Sequence, residues 1–151
     1  MIKSAPIVLV LLVTACGEDY TAQDTRACGF FDEGPYDPIT ATSFKDAQTP
    51  EIGDEPVAHT ITLPATGIGY VRFTAERAGT YLVYLDRAVT FAVQDEGSVP
   101  IALSDSETSV DACATVKARH AFSLSTGGAF LALGPDTGGP VNLVIEAGDA
   151  D

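Results

Sequence analysis

Residues suited to chemistry are scarce in this chain of 151 residues, which has two histidines, three cysteines and no tryptophan. His59, His120 and Cys113 could form a copper site, which takes two histidines, one cysteine and usually an axial methionine. The only methionine is Met1, at the start of the chain, and Cys113 has a second role described below. We therefore expect both histidines to face solvent or a sheet edge.

Nucleophilic catalysis lacks a recognisable motif. Composition alone leaves a Ser-His-Asp triad open, but the chain contains no Gly-x-Ser-x-Gly turn of the kind that presents a catalytic serine. The acidic groups lie in predicted turns without a defined partner. We find no catalytic constellation, and we expect neither enzymatic activity nor a cofactor.

Carboxylates are abundant, and they are the side chains that calcium prefers. Asp32, Glu33 and Asp37 lie within six residues of a predicted turn, which makes them the calcium candidates. Asp95-Glu96-Gly97 and Asp105-Ser106-Glu107 are further acidic turns. None of these has the spacing of an EF-hand loop, so we expect solvated turns and no metal site.

The first sixteen residues have the pattern of an export signal that ends in a cysteine. Lys3 precedes the apolar run Ile7–Val13, and Val13-Thr14-Ala15-Cys16 follows. A membrane-crossing helix needs roughly 20 apolar residues, whereas a cleaved signal needs roughly 7–15. The segment resembles a bacterial lipoprotein signal peptide with its lipobox.

That resemblance implies cleavage of residues 1–15 and a lipidated Cys16. Cys16 would carry diacylglycerol on its sulfur and an acyl chain, such as palmitate, on its amine. An aspartate after the cysteine favours retention in the inner membrane, so Gly17 favours the outer membrane. We expect a lipid-anchored protein of the bacterial cell envelope, facing either the periplasm or the cell exterior.

Cys28 and Cys113 remain once Cys16 is lipidated. Export places them in an oxidising compartment, where two remaining cysteines usually form a disulfide. A metal or redox pair would need closely spaced cysteines such as Cys-x-x-Cys. The predicted bridge ties the N-terminal segment to the domain that follows.

The charge balance restricts the partners. There are 21 acidic against 8 basic residues, for a formal net charge of −13. Nucleic acid is excluded, because phosphates need lysine and arginine to replace their counterions. Anionic lipid headgroups would also repel the chain, so membrane contact depends on the anchor. The remaining partners are an envelope protein or a glycan.

The chain divides into three parts. Residues 1–15 form the signal, and residues 16–55 form a lipidated, acidic and turn-rich segment. Within the latter, we expect a flexible tether over Gly17–Thr25 and docking around Cys28–Phe31. Residues 56–148 alternate with period two between glycine-containing turns, without a helical pattern of ten or more residues. They predict one antiparallel β-sandwich of eight or nine strands, jelly-roll-like or immunoglobulin-like.

A second resemblance lies within the predicted sandwich. The stretch Gly69–Val83 has an aromatic-containing strand, the turn Ala78-Gly79-Thr80-Tyr81 and then another strand. It resembles the first half of the bacterial pre-peptidase C-terminal domains. In a weaker second half, Gly128-Ala129-Phe130 stands where that family usually has Gly-Thr-Tyr. The resemblance implies a non-catalytic sandwich that assists secretion or contacts surfaces.

The segment Leu63-Pro64-Ala65-Thr66-Gly67 matches the sortase motif. A sortase signal lies near the C-terminus, before an apolar segment and a basic tail, so we interpret this motif as a turn. Pro64–Tyr70 also resembles the inhibitory loop of chagasin-type protease inhibitors. The preferred hypothesis is a membrane-anchored, non-enzymatic accessory or binding module; the alternatives are a calcium- or glycan-binding module and a protease-inhibitor-like sandwich.

Overall fold

Two β-sheets face each other, and one helix lies on the outer surface of the larger sheet. The computed structural model describes residues 18–136 and 138–148, so the predicted signal peptide and Cys16 lie outside the described residues. The helix α1 spans Thr21–Glu33. Within the described ranges, no helix has the length and apolar character needed to cross a membrane.

Eleven strands form the two sheets. They are β1 (Tyr36–Thr40), β2 (Glu51–Ile52), β3 (Ala58–Thr62), β4 (Gly69–Ala75), β5 (Gly79–Leu85), β6 (Phe91–Asp95), β7 (Pro100–Ile101), β8 (Leu103–Glu107), β9 (Ala118–Leu124), β10 (Gly127–Leu133) and β11 (Val141–Ala147). The six-stranded sheet has the order β1-β3-β11-β5-β9-β8, and the five-stranded sheet has the order β2-β4-β10-β6-β7.

The predicted β-sandwich is confirmed, with two differences in detail. The described residues contain eleven strands rather than eight or nine, because the acidic N-terminal segment contributes β1 and β2, and residues 100–107 form two separate strands, β7 and β8. The two N-terminal strands pair in parallel, β1 with β3 and β2 with β4, so each sheet is mixed rather than purely antiparallel. Residues 112–116, between β8 and β9, form a loop, and an isolated bridge joins Val110 and Cys113.

Alternating apolar residues build the core between the sheets, as the period of a strand requires. In β4, Val71, Phe73 and Ala75 are buried, and the residues between them are half-buried. The Phe73 ring meets Tyr81 edge-on, with 5.0 Å between ring centroids, and meets Phe122 at 6.3 Å. These aromatic contacts join the two sheets.

The central strand β5 is buried on both faces. Tyr81, Val83 and Leu85 belong to the core between the sheets. Leu82 and Tyr84 belong to a second apolar cluster, which includes residues of α1. The helix therefore covers an apolar face that would otherwise be open to water.

Helix α1 corrects the prediction of a flexible tether over Gly17–Thr25, because regular structure begins at Thr21. Its buried residues are Gln23, Asp24, Ala27, Cys28 and Phe31. Their spacing places them on one face of the helix. Because two of them are polar, hydrophobic periodicity in the sequence does not reveal this buried face. A 13-residue helix of this kind depends on tertiary contacts more than on intrinsic propensity.

The Cys28–Cys113 disulfide is confirmed and is one of those contacts. It links α1 to the loop that precedes β9, across 85 positions of sequence, with 5.9 Å between the Cα atoms. Closing a loop of that size stabilises the folded state by about 4–5 kcal/mol in the chain-entropy model.

A buried ion pair is another of those contacts. Arg119 of β9 donates to Asp24 of α1 at 3.0 Å and to Asp105 of β8 at 2.6 Å. The hydroxyl of Tyr84 donates to Asp24 at 2.8 Å, and the guanidinium lies over the Tyr20 ring at 5.2 Å. The side chains of Arg119 and Asp24 are 11% and 12% exposed. Burial and the neighbouring Asp24 carboxylate raise the pKa of Tyr84, which stays a hydrogen-bond donor.

Replacing Asp24 with alanine removes the carboxylate that both Tyr84 and Arg119 use. We expect the free energy of unfolding, measured by urea denaturation, to fall by about 3 kcal/mol, as when one partner of a buried ion pair is lost. The matched control is Glu96→Ala, because Glu96 pairs with Arg72 at the surface and should cost about 1 kcal/mol or less. Equal costs for the two variants would contradict the role given to Asp24.

Candidate functional site

Strand register brings one serine and one histidine together. Ser106 of β8 and His120 of β9 are cross-strand partners, and the Ser106 Oγ lies 2.9 Å from the His120 Nδ1. The imidazole stacks on the Phe91 ring, with 4.8 Å between centroids and 9° between planes. This pair could not be predicted from the sequence, because the two residues become neighbours only through the register of β8 and β9.

The Ser106–His120 pair does not complete a catalytic triad. In a triad, one imidazole nitrogen receives the serine proton and the other donates to a carboxylate. The His120 Nε2 is buried and has no hydrogen-bond partner among the described residues. Burial lowers the pKa of His120, against the opposing charge of Asp105. Among the described residues, the pair therefore lacks a carboxylate that would orient the imidazole and stabilise its protonated form.

The calcium candidates do not form one cluster. Asp32 and Glu33 lie in the last turn of α1, whereas Asp37 lies on β1. In residues 18–136 and 138–148, no three histidine, cysteine, aspartate or glutamate side chains lie where they could hold a metal ion. Cys113, the copper candidate, is bonded to Cys28.

Asp37 instead borders a groove at the open edge of the sandwich, which we call the seam groove. It lies where β1 and β3 of one sheet approach β2 and β4 of the other, and its volume is about 370 Å³. Its lining residues are Asp37, Glu51, Ile52, Gly53, Asp54, Glu55, Val57, His59, Thr74 and Glu76. The groove therefore collects residues that are far apart in sequence.

Half of the lining residues are carboxylates, and none is lysine or arginine. Glu51 accepts a hydrogen bond from Thr74 Oγ1 at 2.6 Å, and Asp54 accepts one from the Glu76 backbone amide at 3.2 Å. Within the described part of the chain, no salt bridge involves a carboxylate of the seam groove. Among the described residues, these carboxylates are therefore free of direct ion pairs.

His59 forms the buried part of the seam groove. It pairs with Asp37 across the parallel β1–β3 ladder, so the two side chains lie on the same face of the sheet. The residue is only 9% exposed, and its Nδ1 has no hydrogen-bond partner among the residues described. Burial lowers the pKa of His59, against the opposing charge of Asp37. The imidazole is therefore neutral at pH 7.

A second groove, of about 480 Å³, adjoins the first and shares Asp54, Glu55 and Glu76 with it. Its lining also includes two arginines. Arg26 of α1 pairs with the buried Glu146 of β11 at 3.2 Å. The other arginine, Arg77, lines this groove together with the three shared carboxylates. Asp37 and Glu51 are therefore the carboxylates that belong to the seam groove and not to its neighbour.

The sortase-like motif lies in the connection between β3 and β4, which passes from one sheet to the other. A Cβ atom at Gly69 would lie 2.9 Å from both Ala41 Cβ and Pro64 Cδ, so this close packing requires glycine. Tyr70 follows on β4, where the Lys45 ammonium lies 5.4 Å from its ring centroid. The motif is thus an internal turn of the sandwich.

The predicted position at a sheet edge or in solvent is wrong for both histidines. His59 on β3 and His120 on β9 each lie one strand in from an edge of the six-stranded sheet, with His59 buried and His120 half-buried. For His59 a signal was present, because it alternates with Val57 and Ile61 on the apolar face of β3. A polar residue on that face predicts a position between the sheets.

In comparisons with models of known protein families and with curated protein sequences, the chain matches none of them. The lipoprotein and pre-peptidase resemblances therefore stay predictions that depend on their motifs.

The two covered histidines make folding sensitive to mild acid. Because burial lowers their folded-state pKa, the unfolded chain binds more protons below about pH 6.5, and stability falls as pH falls through that value. We expect the His120→Gln variant to lose less stability than the parent between pH 7 and pH 5 in urea denaturation.

The Ser106→Ala variant is the control, because it keeps the imidazole and should retain the pH dependence of the parent. An identical pH dependence in the parent and His120→Gln would contradict this assignment.

Proposed function

We propose that the chain is a bacterial lipoprotein, anchored through lipid on Cys16, whose β-sandwich is a non-enzymatic binding module of the cell envelope. The observation that carries this proposal is the lipobox Val13-Thr14-Ala15-Cys16, followed almost at once by a folded domain. Gly17 favours the outer membrane, with the domain on its periplasmic or its outer side.

The distance from the anchor to the domain is short. Thr21, where α1 begins, follows Cys16 by five residues, which span at most about 18 Å of extended chain. The disulfide and the Asp24–Arg119 pair hold α1 on the six-stranded sheet. Lipidation at Cys16 would therefore keep the sandwich close to the membrane, with its position limited by α1.

The membrane attachment itself belongs to the lipid. Each buried methylene contributes about 0.8 kcal/mol, so several acyl chains hold firmly where a single chain does not. The formal charge of −13 opposes adhesion of the domain to anionic headgroups. The surface of the sandwich is thus left available for partners other than the bilayer.

Binding is favoured over catalysis by the character of the candidate sites. Among the described residues, no carboxylate forms a hydrogen bond with the second imidazole nitrogen of the Ser106–His120 pair. The seam groove, by contrast, has exposed carboxylates along an open groove, an arrangement suited to electrostatic recognition.

Changing Cys16 to serine should release the protein from the membrane fraction, because the thioether to diacylglycerol cannot form. We expect the parent in the membrane pellet and the variant in the supernatant, detected by immunoblotting after ultracentrifugation. The double variant Cys28→Ser/Cys113→Ser is the matched control and should stay in the pellet. A Cys16→Ser protein that remained in the membrane fraction would sink the anchor proposal.

The non-enzymatic part is tested with a broad panel of ester, peptide and glycoside substrates. We expect no turnover above the buffer rate by the full chain. Hydrolysis that is lost in the Ser106→Ala variant but kept in Ser104→Ala would show that the Ser106–His120 pair is catalytic.

A further inference from the structure

We infer that the seam groove binds a lysine or arginine side chain from a basic segment of a partner protein. This inference deepens the proposed binding role and rests on it, because it names the chemistry of the partner.

The charge of the seam groove favours a cationic partner. Five carboxylates line the seam groove without a lysine or arginine among the lining residues. The basic side chains that form ion pairs in the described ranges do so elsewhere; these are Arg26, Arg72, Arg87 and Arg119. Carboxylates held around one groove raise the local concentration of cations and speed their association.

The His59 imidazole is a second feature that favours an N–H donor, and it is independent of the carboxylates. The residue is nine-tenths buried, lines the groove, and leaves Nδ1 without a partner among the described residues. A neutral imidazole has one nitrogen that accepts a hydrogen bond. Lysine and arginine offer N–H donors and no acceptor, so they complement both the imidazole and the carboxylates.

A metal ion fits the same groove less well. Calcium needs six to eight oxygen ligands at short and similar distances, and the described residues provide no three side chains placed to hold a metal. An ammonium or guanidinium group is attracted by carboxylates over longer distances and through water. The loose arrangement of the carboxylates therefore favours an organic cation.

The seam groove is also accessible when the N-terminus is anchored. The N-terminal part of α1 contacts β9 and β5 through Asp24, whereas the seam groove lies at β1, an edge strand of the six-stranded sheet. With strands about 4.8 Å apart, β9 lies about 19 Å from β1. An anchor at the N-terminus would leave the groove on the side away from it, where a partner can reach it.

The test uses the full chain in nonionic detergent and a fluorescent decapeptide of alternating lysine and serine. Fluorescence anisotropy gives the Kd, and the same peptide with acetylated lysines is the charge control. The groove variant is Asp37→Asn/Glu51→Gln, in which glutamine can still accept the hydrogen bond from Thr74. The matched variant is Glu107→Gln/Asp111→Asn. It also removes two negative charges, but from exposed positions outside the seam groove.

We expect the lysine peptide to bind, the acetylated peptide to bind far more weakly, and the Kd to rise about tenfold in the groove variant alone. The peptide should also shift the His59 C2–H proton resonance, and should shift that of His120 less. Circular dichroism confirms that both variants are folded.

Absence of peptide binding, or equal weakening in the two double variants, would overturn the inference. Calcium or zinc ions that shift the His59 resonance while the peptide does not would also overturn it and assign a metal instead. None of these outcomes depends on lipidation. A negative result in the peptide-binding experiment would therefore leave the proposed lipid anchor untouched, because the Cys16→Ser fractionation tests that anchor separately.

Discussion

A buried contact fixes the register of α1 on the six-stranded sheet, because the Asp24 carboxylate receives hydrogen bonds from Arg119 and from Tyr84. A buried ion pair often contributes little net stability, because removing both charges from water is costly. It does make one position of the helix favourable, since any shift along the sheet would leave the charges unpaired. The Cys28–Cys113 disulfide then limits the separation of helix and sheet when the contact opens.

The core strands could be predicted because their residues alternate with period two. In β4, for example, Val71, Phe73 and Ala75 face the core on every second position, and the pattern is visible in any linear sequence. Helix α1 could not be predicted in this way, because the buried side of the helix includes Gln23 and Asp24. These residues look like solvent-exposed positions until the cluster beneath them is known.

The cysteine pairing was predictable by elimination, whereas the seam groove was not. Asp37 and His59 become neighbours only through the parallel pairing of β1 with β3. Glu51 belongs to the other sheet and meets them only once the two sheets are packed. The calcium candidates show the same dependence on tertiary structure. Asp32 and Asp37 are close in sequence, but they do not lie in one cluster.

In the proposed arrangement, lipid on Cys16 holds the sandwich on the side of β9, and the seam groove lies four strands away at the β1 edge. This arrangement is tested most directly by fluorescence quenching in vesicles that contain the lipidated protein and spin-labelled lipids. A fluorophore at position 111, near the start of α1, should be quenched strongly, and one at position 37 weakly. Equal quenching at the two positions, or stronger quenching at position 37, would contradict the account.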